Sequence, residues 1–242
     1  MKILITGSKG FIGKNLIEAL NKKGNYEIYE FDCDTPFELL DRYTIDCDFV
    51  FNFAAVHRPK DVSEFKQTNY LFLEELLQLL KKHNNLCPVL YTSSIQATNG
   101  SDYGNSKLAA EQAMFDYEKE TGAKAIIYRL TNTFGKWAMP NHHSVVATFC
   151  YAVNRNLPIQ VSNPDIVMNF YYIDDVIDSF LRQLEELEKP AKDGIYYLDE
   201  KCIYNVTLGE LANLIISFGN GCLPQNNDFE KRLFETFNSY KE

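Results

Sequence analysis

A tyrosine and a lysine four residues apart, Tyr103 and Lys107, occur together in the segment YGNSK. On a helix this spacing puts both side chains on one face, so that the lysine ammonium lies near the phenol. A positive charge favours the phenolate and therefore lowers the tyrosine pKa, which is about 10 in water. Such a tyrosine can transfer a proton to a ketone, or from an alcohol, near neutral pH. Ser94, at the end of the preceding apolar run, can hydrogen-bond to the same oxygen.

The YxxxK spacing alone is weak evidence for a functional tyrosine, because a chain with 15 tyrosines is expected to contain about one match by chance. A second match does occur, at Tyr197 and Lys201. It lies in a late apolar run with no nucleophile-type residue before it. Tyr103, in contrast, opens a helical segment shortly after the strand-end sequence Thr92-Ser93-Ser94. The context predicts that Tyr103 is the functional tyrosine.

Three glycines form the pattern GxxGxxG in the segment GSKGFIG, between an apolar run at 2–6 and an amphipathic segment that begins at Phe11. The first glycine permits a tight turn, the second lets the backbone approach a pyrophosphate, and the third lets the helix pack close to the strand. The helix N-terminus adds partial positive charge. The dinucleotide-binding residues predicted here are Gly7, Lys9, Gly10, Phe11, Ile12 and Gly13.

The end of the second predicted strand carries an acid, Asp32, with Asp34 two residues on. A carboxylate at this position accepts hydrogen bonds from a ribose 2′-hydroxyl and repels a 2′-phosphate. Asp32 therefore favours NADH over NADPH, unless it is only a solvated acid of the loop.

Strand and helix patterns alternate along the first 130 residues, which predicts right-handed crossovers and an α/β fold with a Rossmann-like, doubly wound parallel sheet. The strands are predicted at 2–6, 26–31, 48–54, 88–92 and 124–130. After residue 130 strand and helix patterns no longer alternate regularly. A loop is predicted at 131–143 and a strand near 158–162. We predict a single unit over 1–242, with a dinucleotide-binding core at about 1–160 and a small C-terminal part, at about 161–242, that mainly binds substrate.

Composition limits the classes of function. The 242 residues include 24 basic and 33 acidic side chains, a net charge of −9, which argues against nucleic acids and anionic membrane surfaces as partners. No apolar run approaches the ~18 residues of a membrane span or forms a secretion signal. Six irregularly spaced cysteines and a loop pair, His142-His143, give no metal-ligand pattern. We expect a cytoplasmic protein with no bound metal.

Taken together, these motifs resemble the extended short-chain dehydrogenase/reductases, in the branch that modifies sugar nucleotides. The resemblance rests on the glycine pattern, Asn52-Phe53-Ala54-Ala55, the set Ser94, Tyr103 and Lys107, and Tyr171-Tyr172-Ile173-Asp174-Asp175-Val176, in this order. More closely, the chain resembles the reductase half of two-domain capsular polysaccharide enzymes in the UDP-N-acetyl-L-fucosamine pathway. The segments that carry this likeness are SSIQAT from Ser93, FGKW from Phe134 with Pro140-Asn141, SV at Ser144, ATFCY from Ala147, and VTLGE from Val206.

The resemblance implies NADPH- or NADH-dependent reduction of the C4 ketone of a UDP-4-keto-6-deoxy-HexNAc, toward UDP-2-acetamido-2,6-dideoxy-L-talose. Ser94, Tyr103 and Lys107 are the predicted catalytic residues. Further cofactor contacts are expected from Phe53, Ala54, Ala55, Thr92, Tyr103 and Lys107. Substrate contacts are expected from Ser94, Asn132, Lys136, Trp137, Asn141 and Arg155.

The sequence departs from the family pattern in three ways. Met168 stands where relatives often carry an arginine for the substrate diphosphate, so that Arg58, Lys136 or Arg155 would have to serve. The usual third strand is missing between residues 32 and 48. Relatives of this type prefer NADPH, whereas Asp32 favours NADH, and both cofactors stay open.

Two other functions fit parts of the same sequence. A 4-epimerase would use the same three catalytic residues, and a dinucleotide-sensing protein would keep the fold without turnover. The resemblance argues against a 4,6-dehydratase, because Ile95 and Gln96 occupy the positions where such enzymes carry an Asp-Glu pair. Family members often dimerise through the helices at 67–83 and 103–120. The resemblance also implies a cupin-type epimerase domain or partner protein, since no β-rich, histidine-bearing segment follows residue 200.

Overall fold

A computed structural model describes residues 1–142 and 144–241. The strands are β1 (Lys2–Thr6), β2 (Glu27–Phe31), β3 (Phe49–Asn52), β4 (Val89–Ser94), β5 (Ala125–Leu130), β6 (Asn132–Phe134), β7 (Val167–Tyr172), β8 (Ile195–Tyr196) and β9 (Tyr204–Thr207). The helices are α1 (Phe11–Lys23), α2 (Phe37–Tyr43), α3 (Ser63–Lys66), α4 (Phe72–Lys82), α5 (Asp102–Thr121), α6 (Val145–Asn154), α7 (Ile173–Glu185), α8 (Leu208–Gly219) and α9 (Asp228–Asn238). The chain divides into two compact units. The first contains Met1–Leu130 and Phe180–Tyr197, and the second contains Thr131–Ser179 and the chain from Leu198 onward.

The first unit is built on a six-stranded sheet in the order β2-β1-β3-β4-β5-β8, and every pair in it is parallel. This confirms the predicted α/β, Rossmann-like fold. Strands of such a sheet are covered on both faces, which explains why β1 is a continuous apolar run whose Ile3, Leu4 and Ile5 are fully buried. One core cluster joins Leu4, Val50, Val89 and Ile127 of the sheet to the leucines of α4 and to Ala110 and Met114 of α5.

The strand order reverses beside β1, because the chain passes from β1 to β2 on one side and returns to β3 on the other. In open α/β sheets this reversal creates the crevice in which ligands bind, at the carboxyl ends of the strands. Between β2 and β3 the chain forms α2 and no strand, so that β2 is the edge of the sheet. The predicted absence of a third strand between 32 and 48 is therefore correct.

Local sequence determines where the helices of this unit begin and end. Gly24 ends α1 in the left-handed region, with φ of 77°, and donates its N–H to the Leu20 carbonyl. The Ser101 hydroxyl caps α5 by accepting the Gly104 N–H. The helix predicted at 67–83 begins earlier, with α3, and contains a π-helical turn at Gln67–Leu71 before α4.

The second unit contains a three-stranded sheet in the order β6-β7-β9, in which β7 is parallel to β6 and antiparallel to β9. Two predictions for this region are wrong. The predicted loop at 131–143 contains β6, and the predicted strand near 158–162 has no regular structure. Pro158 has no N–H to give to a strand ladder, and the real strand, β7, lies further on.

The first unit consists of two chain segments, Met1–Leu130 and Phe180–Tyr197. The sequence predicted a single division near residue 160. The assignment of dinucleotide binding and substrate binding to these parts stays a prediction. Within the described ranges, none of the helices is both long and apolar enough to cross a membrane.

Candidate functional site

The loop between β1 and α1 passes so close to the end of β3 that its first residue must lack a side chain. Gly7 has φ of +66°, and a Cβ built on it would lie 2.8 Å from the backbone atoms Phe53 C and Ala54 N. A Cβ on Gly13 would lie 2.4 Å from the Gly7 carbonyl oxygen. As predicted, the glycine pattern lets a tight turn and a helix approach each other and the end of β3.

The polar groups of this loop suit an anionic ligand. Gly10 begins α1 without a side-chain cap, and the first turn of α1 carries no acidic residue. The Ser8 hydroxyl is buried and has no hydrogen-bond partner within the described part of the chain. A helix N-terminus and an unsatisfied hydroxyl are groups that a pyrophosphate can satisfy. The residues present thus fit a dinucleotide.

Asp32 lies against the glycine loop. Its carboxylate accepts the backbone N–H of Lys9 at 2.8 Å and that of Cys33 at 2.8 Å. The Lys9 ammonium forms an ion pair with Asp34, on the surface. This pairing lowers the pKa of Asp34 and raises that of Lys9. The carboxylate of Asp32 is therefore held against the glycine loop, and its contact with a ribose 2′-hydroxyl stays a prediction.

Ser94, Tyr103 and Lys107 come together at the end of β4 and the first turns of α5. The Ser94 side chain hydrogen-bonds to the Tyr103 hydroxyl and also accepts the Gln96 N–H at 3.1 Å. Lys107 is 2% exposed, and its Nζ donates to the Thr92 carbonyl at 2.9 Å and lies 5.9 Å from the Tyr103 ring centroid. The structure thus assembles the predicted catalytic set, with Thr92 as the backbone anchor of the lysine.

The pKa values of Tyr103 and Lys107 differ from the sequence-based expectation. Burial raises the pKa of Tyr103 to about 12, and the hydrogen bond from Ser94 opposes this only in part. Burial also lowers the pKa of Lys107 to about 7. The prediction of a lowered Tyr103 pKa is wrong, because burial disfavours the phenolate more than the Ser94 hydrogen bond favours it. Tyr103 is consequently a protonated phenol at neutral pH.

Aromatic side chains surround the Tyr103 ring. His57 lies 5.1 Å from it between ring centroids, and Phe65 lies 5.7 Å away. Both come from the segment after β3, which is tied to α5 by the fully buried Asn69. The Asn69 amide donates to Ser106 Oγ at 3.0 Å and to the Val56 carbonyl at 3.1 Å. Sequence reasoning assigned no role to these groups.

The second YxxxK match has no comparable setting. Tyr197 follows the two-residue strand β8 and is 41% exposed. Lys201 lies in a 3₁₀ turn at Glu200–Cys202. Because Tyr197 precedes that turn, no helix carries the two residues on one face. The preference for Tyr103 over Tyr197 is therefore supported by local structure.

The residues predicted to bind substrate, apart from Ser94, all lie in the second unit. The Asn132 amide donates to the Asn169 carbonyl at 3.2 Å. Lys136 Nζ lies 4.4 Å from the Trp137 ring, and Trp137 is 46% exposed with φ of 70°. A bulky residue in the left-handed region is uncommon and strained. Their role in substrate binding stays a prediction.

Two further predicted residues of this unit have structural contacts. Asn141 also has positive φ, 59°, and donates its backbone N–H to Thr148 Oγ1 at 2.9 Å. The Arg155 guanidinium packs on the Tyr151 ring at 4.0 Å and reaches the Tyr240 carbonyl at 3.4 Å. Of the neighbouring histidine pair, His142 is partly buried, and His143 lies outside the described residues.

Sequence reasoning missed a buried ion pair next to Lys107. Glu111, on α5, accepts hydrogen bonds from Arg129 Nε at 2.8 Å and Nη2 at 2.6 Å. The Ser93 hydroxyl donates to the same carboxylate. A signal was present in the sequence, because Glu111 follows Lys107 by four residues and so shares its helix face.

Comparison with known proteins agrees with this geometry. A model of the NAD dependent epimerase/dehydratase family matches residues 3–199. The chain belongs to this family. The resemblance to the extended short-chain dehydrogenase/reductases is thereby confirmed.

Three individual proteins show how similar the chain is to its relatives in sequence and in fold. The chain is 36% identical, over 91% of its length, to UDP-2-acetamido-2,6-beta-L-arabino-hexul-4-ose reductase of Pseudomonas aeruginosa. It is 35% identical to the crystal structure of capsular polysaccharide assembling protein CapF from Staphylococcus aureus, with a TM-score of 0.87 over 99% of this chain. UDP-glucuronic acid 4-epimerase of Bacillus cereus, at 19% identity and a TM-score of 0.83, shares the fold and covers 100% of this chain and 99% of its own. The chain spans 58% of the Pseudomonas protein and 65% of the CapF chain.

Proposed function

We propose that this chain reduces the C4 ketone of a UDP-4-keto-6-deoxy-HexNAc with NADPH or NADH, toward UDP-2-acetamido-2,6-dideoxy-L-talose. The observation that carries the proposal is the Tyr103 hydroxyl, hydrogen-bonded to Ser94, with Lys107 one turn further along α5. The names of the Pseudomonas reductase and of CapF support a 4-keto sugar nucleotide and a role in capsular or surface polysaccharide synthesis.

The dinucleotide, when bound, supplies the hydride that reduces the ketone carbon. The chain supplies the binding groups: the α1 N-terminus and Ser8 hydroxyl for the pyrophosphate, and Asp32 for the adenosine ribose. Tyr103 supplies the proton: its O–H bond breaks as an O–H bond forms on the ketone oxygen. A phenol whose pKa is raised to about 12 is in the donor form that reduction requires.

Ser94 and Lys107 complete the proton transfer. The Ser94 hydroxyl can hydrogen-bond to the ketone oxygen and thereby orient it toward the phenol. After the transfer a phenolate remains, and the Lys107 ammonium stabilises that negative charge. The active form therefore combines a neutral Tyr103 with a charged Lys107.

A direct assay tests this function. The protein is mixed with UDP-4-keto-6-deoxy-HexNAc and either NADH or NADPH, and the absorbance of the reduced nicotinamide is followed. The proposal expects stoichiometric loss of absorbance and a 4-hydroxy sugar nucleotide as product. A 4-epimerase would instead retain its dinucleotide through purification and interconvert 4-hydroxy sugars. A dinucleotide-sensing protein would bind the cofactor without turnover.

The proposal extends to partners and location. A homodimer through the α4 and α5 helices is proposed from the resemblance to family members that often dimerise in this way. The relatives' greater length supports a cupin-type epimerase domain or partner protein acting with this reductase. Cys47, Cys87 and Cys150 are buried thiols and not disulfides, which supports a cytoplasmic location. Neither nucleic acid nor membrane is a proposed partner.

Asp32→Ala is expected to raise the use of NADPH relative to NADH by several-fold. The carboxylate is held beside the glycine loop by two backbone N–H groups, so that its removal takes away the charge that repels a 2′-phosphate. The measurement is the ratio of kcat/KM for the two cofactors. Asp46→Ala, which removes an ion pair with Lys2, is the control and should keep the wild-type ratio. An unchanged ratio in Asp32→Ala would make this residue a loop acid only.

Reduction is expected to continue at an unchanged rate in a chelator such as EDTA, because proton transfer by Tyr103 needs no Lewis acid. In the described part of the chain, three potential metal ligands cluster at Asp32, Cys33 and Asp34, where Lys9 already pairs with Asp34. The rate is measured on the epimerised 4-keto sugar with and without chelator. Loss of reduction on metal removal would contradict the proposal, and so would C3 epimerisation by this chain alone.

A further inference from the structure

Glu111 places a negative charge inside the first unit, one helical turn from the lysine of the site. Glu111 is 1% exposed and Lys107 is 2% exposed. The Glu111 carboxylate is fixed from two strands: Arg129 of β5 binds it through Nε and Nη2, and Ser93 of β4 donates its hydroxyl. A buried carboxylate persists only when such partners satisfy it. Its position is therefore tightly determined.

The surroundings of Lys107 supply little other stabilisation for a positive charge. Its Nζ donates to the Thr92 carbonyl at 2.9 Å and lies 4.8 Å from the ring centroid of Tyr91 on β4. The carbonyl oxygen and the ring face both attract a cation, but neither carries the full negative charge that a carboxylate has. On its own helix, Lys107 is flanked by Tyr103 and Glu111.

Burial and Glu111 act on Lys107 in opposite directions. Burial lowers the pKa of Lys107 and the charge of Glu111 raises it; burial is the larger effect, and the resulting pKa is about 7. Arg129 binds Glu111, and its interactions with Glu111 and with the Tyr197 hydroxyl raise the pKa of Arg129. Near neutral pH the Lys107 ammonium is thus balanced between its charged and neutral forms.

We propose that Glu111 is a positioning residue, whose carboxylate, fixed by Arg129 and Ser93, keeps Lys107 in its charged form beside Tyr103. The consequence for turnover rests on the proposed reductase function, since only a charged Lys107 stabilises the phenolate that proton donation leaves behind. The effect on Lys107 itself needs neither substrate nor dinucleotide, so that the two proposals can fail separately.

The charge of Lys107 can be measured directly in the full chain by NMR with ¹³C-labelled lysine. The Lys107 Cε signal is assigned by its loss in Lys107→Arg, and its chemical shift is followed against pH. We expect a wild-type midpoint far below the ordinary lysine value of about 10.4. Glu111→Gln should lower this midpoint by about one pH unit or more, because a neutral amide replaces the charge that favours the ammonium.

Arg129→Gln supplies a test with the opposite sign. It leaves the Glu111 carboxylate uncompensated near Lys107, so that the midpoint of Lys107 should rise. A merely structural role predicts something else: loosened packing would hydrate Lys107 in both variants and raise both midpoints. Glu111→Asp keeps the charge and should stay closer to wild type than Glu111→Gln. If Glu111→Gln does not fold, Arg129→Gln and Arg129→Lys carry the test: the neutral glutamine should raise the Lys107 midpoint, whereas lysine keeps the positive charge beside Glu111 and should leave the midpoint near wild type. Loosened packing would raise the midpoint in both.

Glu120→Gln is the matched control, because it removes a carboxylate from the same helix at an exposed ion pair with Lys81. Its Lys107 midpoint and its turnover should equal those of wild type. In Glu111→Gln, the loss of kcat with rising pH should begin at lower pH than in wild type. An unchanged or raised Lys107 midpoint in folded Glu111→Gln would overturn the proposal. A wild-type chain that shows the predicted midpoints but reduces no 4-keto sugar would refute the reductase function alone.

Discussion

Tyr103→Phe is expected to lower the rate of 4-keto sugar reduction by about 100- to 10,000-fold, the range that a positioned acid contributes. The substitution removes only the hydroxyl that Ser94 contacts and keeps the ring that packs against His57 and Phe65. Dinucleotide affinity should therefore stay within a few-fold of wild type. Steady-state kinetics measure the first effect, and titration of the reduced nicotinamide's fluorescence measures the second.

Tyr117→Phe is the matched control, since it removes a phenol hydroxyl from the same helix, α5, that donates to the Asn85 carbonyl at 3.4 Å and lies outside the site. Its turnover should equal that of wild type. Near-full activity of Tyr103→Phe would mean that another group gives the proton. Loss of turnover in Tyr197→Phe, with Tyr103→Phe active, would assign the donor to the second YxxxK match.

Gly7→Ala is expected to weaken dinucleotide binding at least about tenfold, which corresponds to about 1.4 kcal/mol. Two costs add at this position. A non-glycine residue in the left-handed region costs about 1–2 kcal/mol. In addition, the new Cβ would meet backbone atoms of Phe53 and Ala54 at 2.8 Å, and backbone cannot rotate away as a side chain can. The turn must therefore shift, and with it the N–H groups of the first turn of α1.

Gly24→Ala separates these two costs. Gly24 has a similar φ, +77°, but a Cβ there would meet nothing within 4 Å. It should lower the free energy of unfolding by about 1–2 kcal/mol and leave dinucleotide affinity unchanged. Binding is measured by fluorescence titration and stability by denaturant unfolding. Equal affinities for Gly7→Ala and wild type would show that the glycine loop does not contact the dinucleotide.

The two units of the chain differ in how well local sequence predicts them. In the first unit, strand and helix alternate with short connections, and each strand is a compact apolar run, so that periodicity located β1, α1 and α5 closely. In the second unit, β7 runs directly into α7 at Tyr172–Ile173 without a turn residue between them. The sequence places a helix start at these residues but predicts the strand before it near 158–162 instead of at Val167–Tyr172.

The sequence by itself determined the parts of the site that short-range geometry controls. The glycine pattern, the four-residue spacing of Tyr103 and Lys107, and Asp32 at the end of a strand all follow from chain-local rules. These rules concern neighbours within about one helical turn or one βα connection. They suffice to predict the fold class, the glycine turn and the placement of Tyr103 and Lys107 on one helix.

Only the tertiary structure determined the pKa values of Tyr103 and Lys107. The pKa of Tyr103 rises and that of Lys107 falls because residues distant in sequence remove water from both: the segment around His57 and Phe65 covers the phenol, and β4 covers the ammonium. Desolvation depends on everything packed around a group, whereas spacing in the sequence reports only which residues are adjacent. For the same reason the pairing of Glu111 with Arg129, 18 residues apart, became visible only in the folded chain.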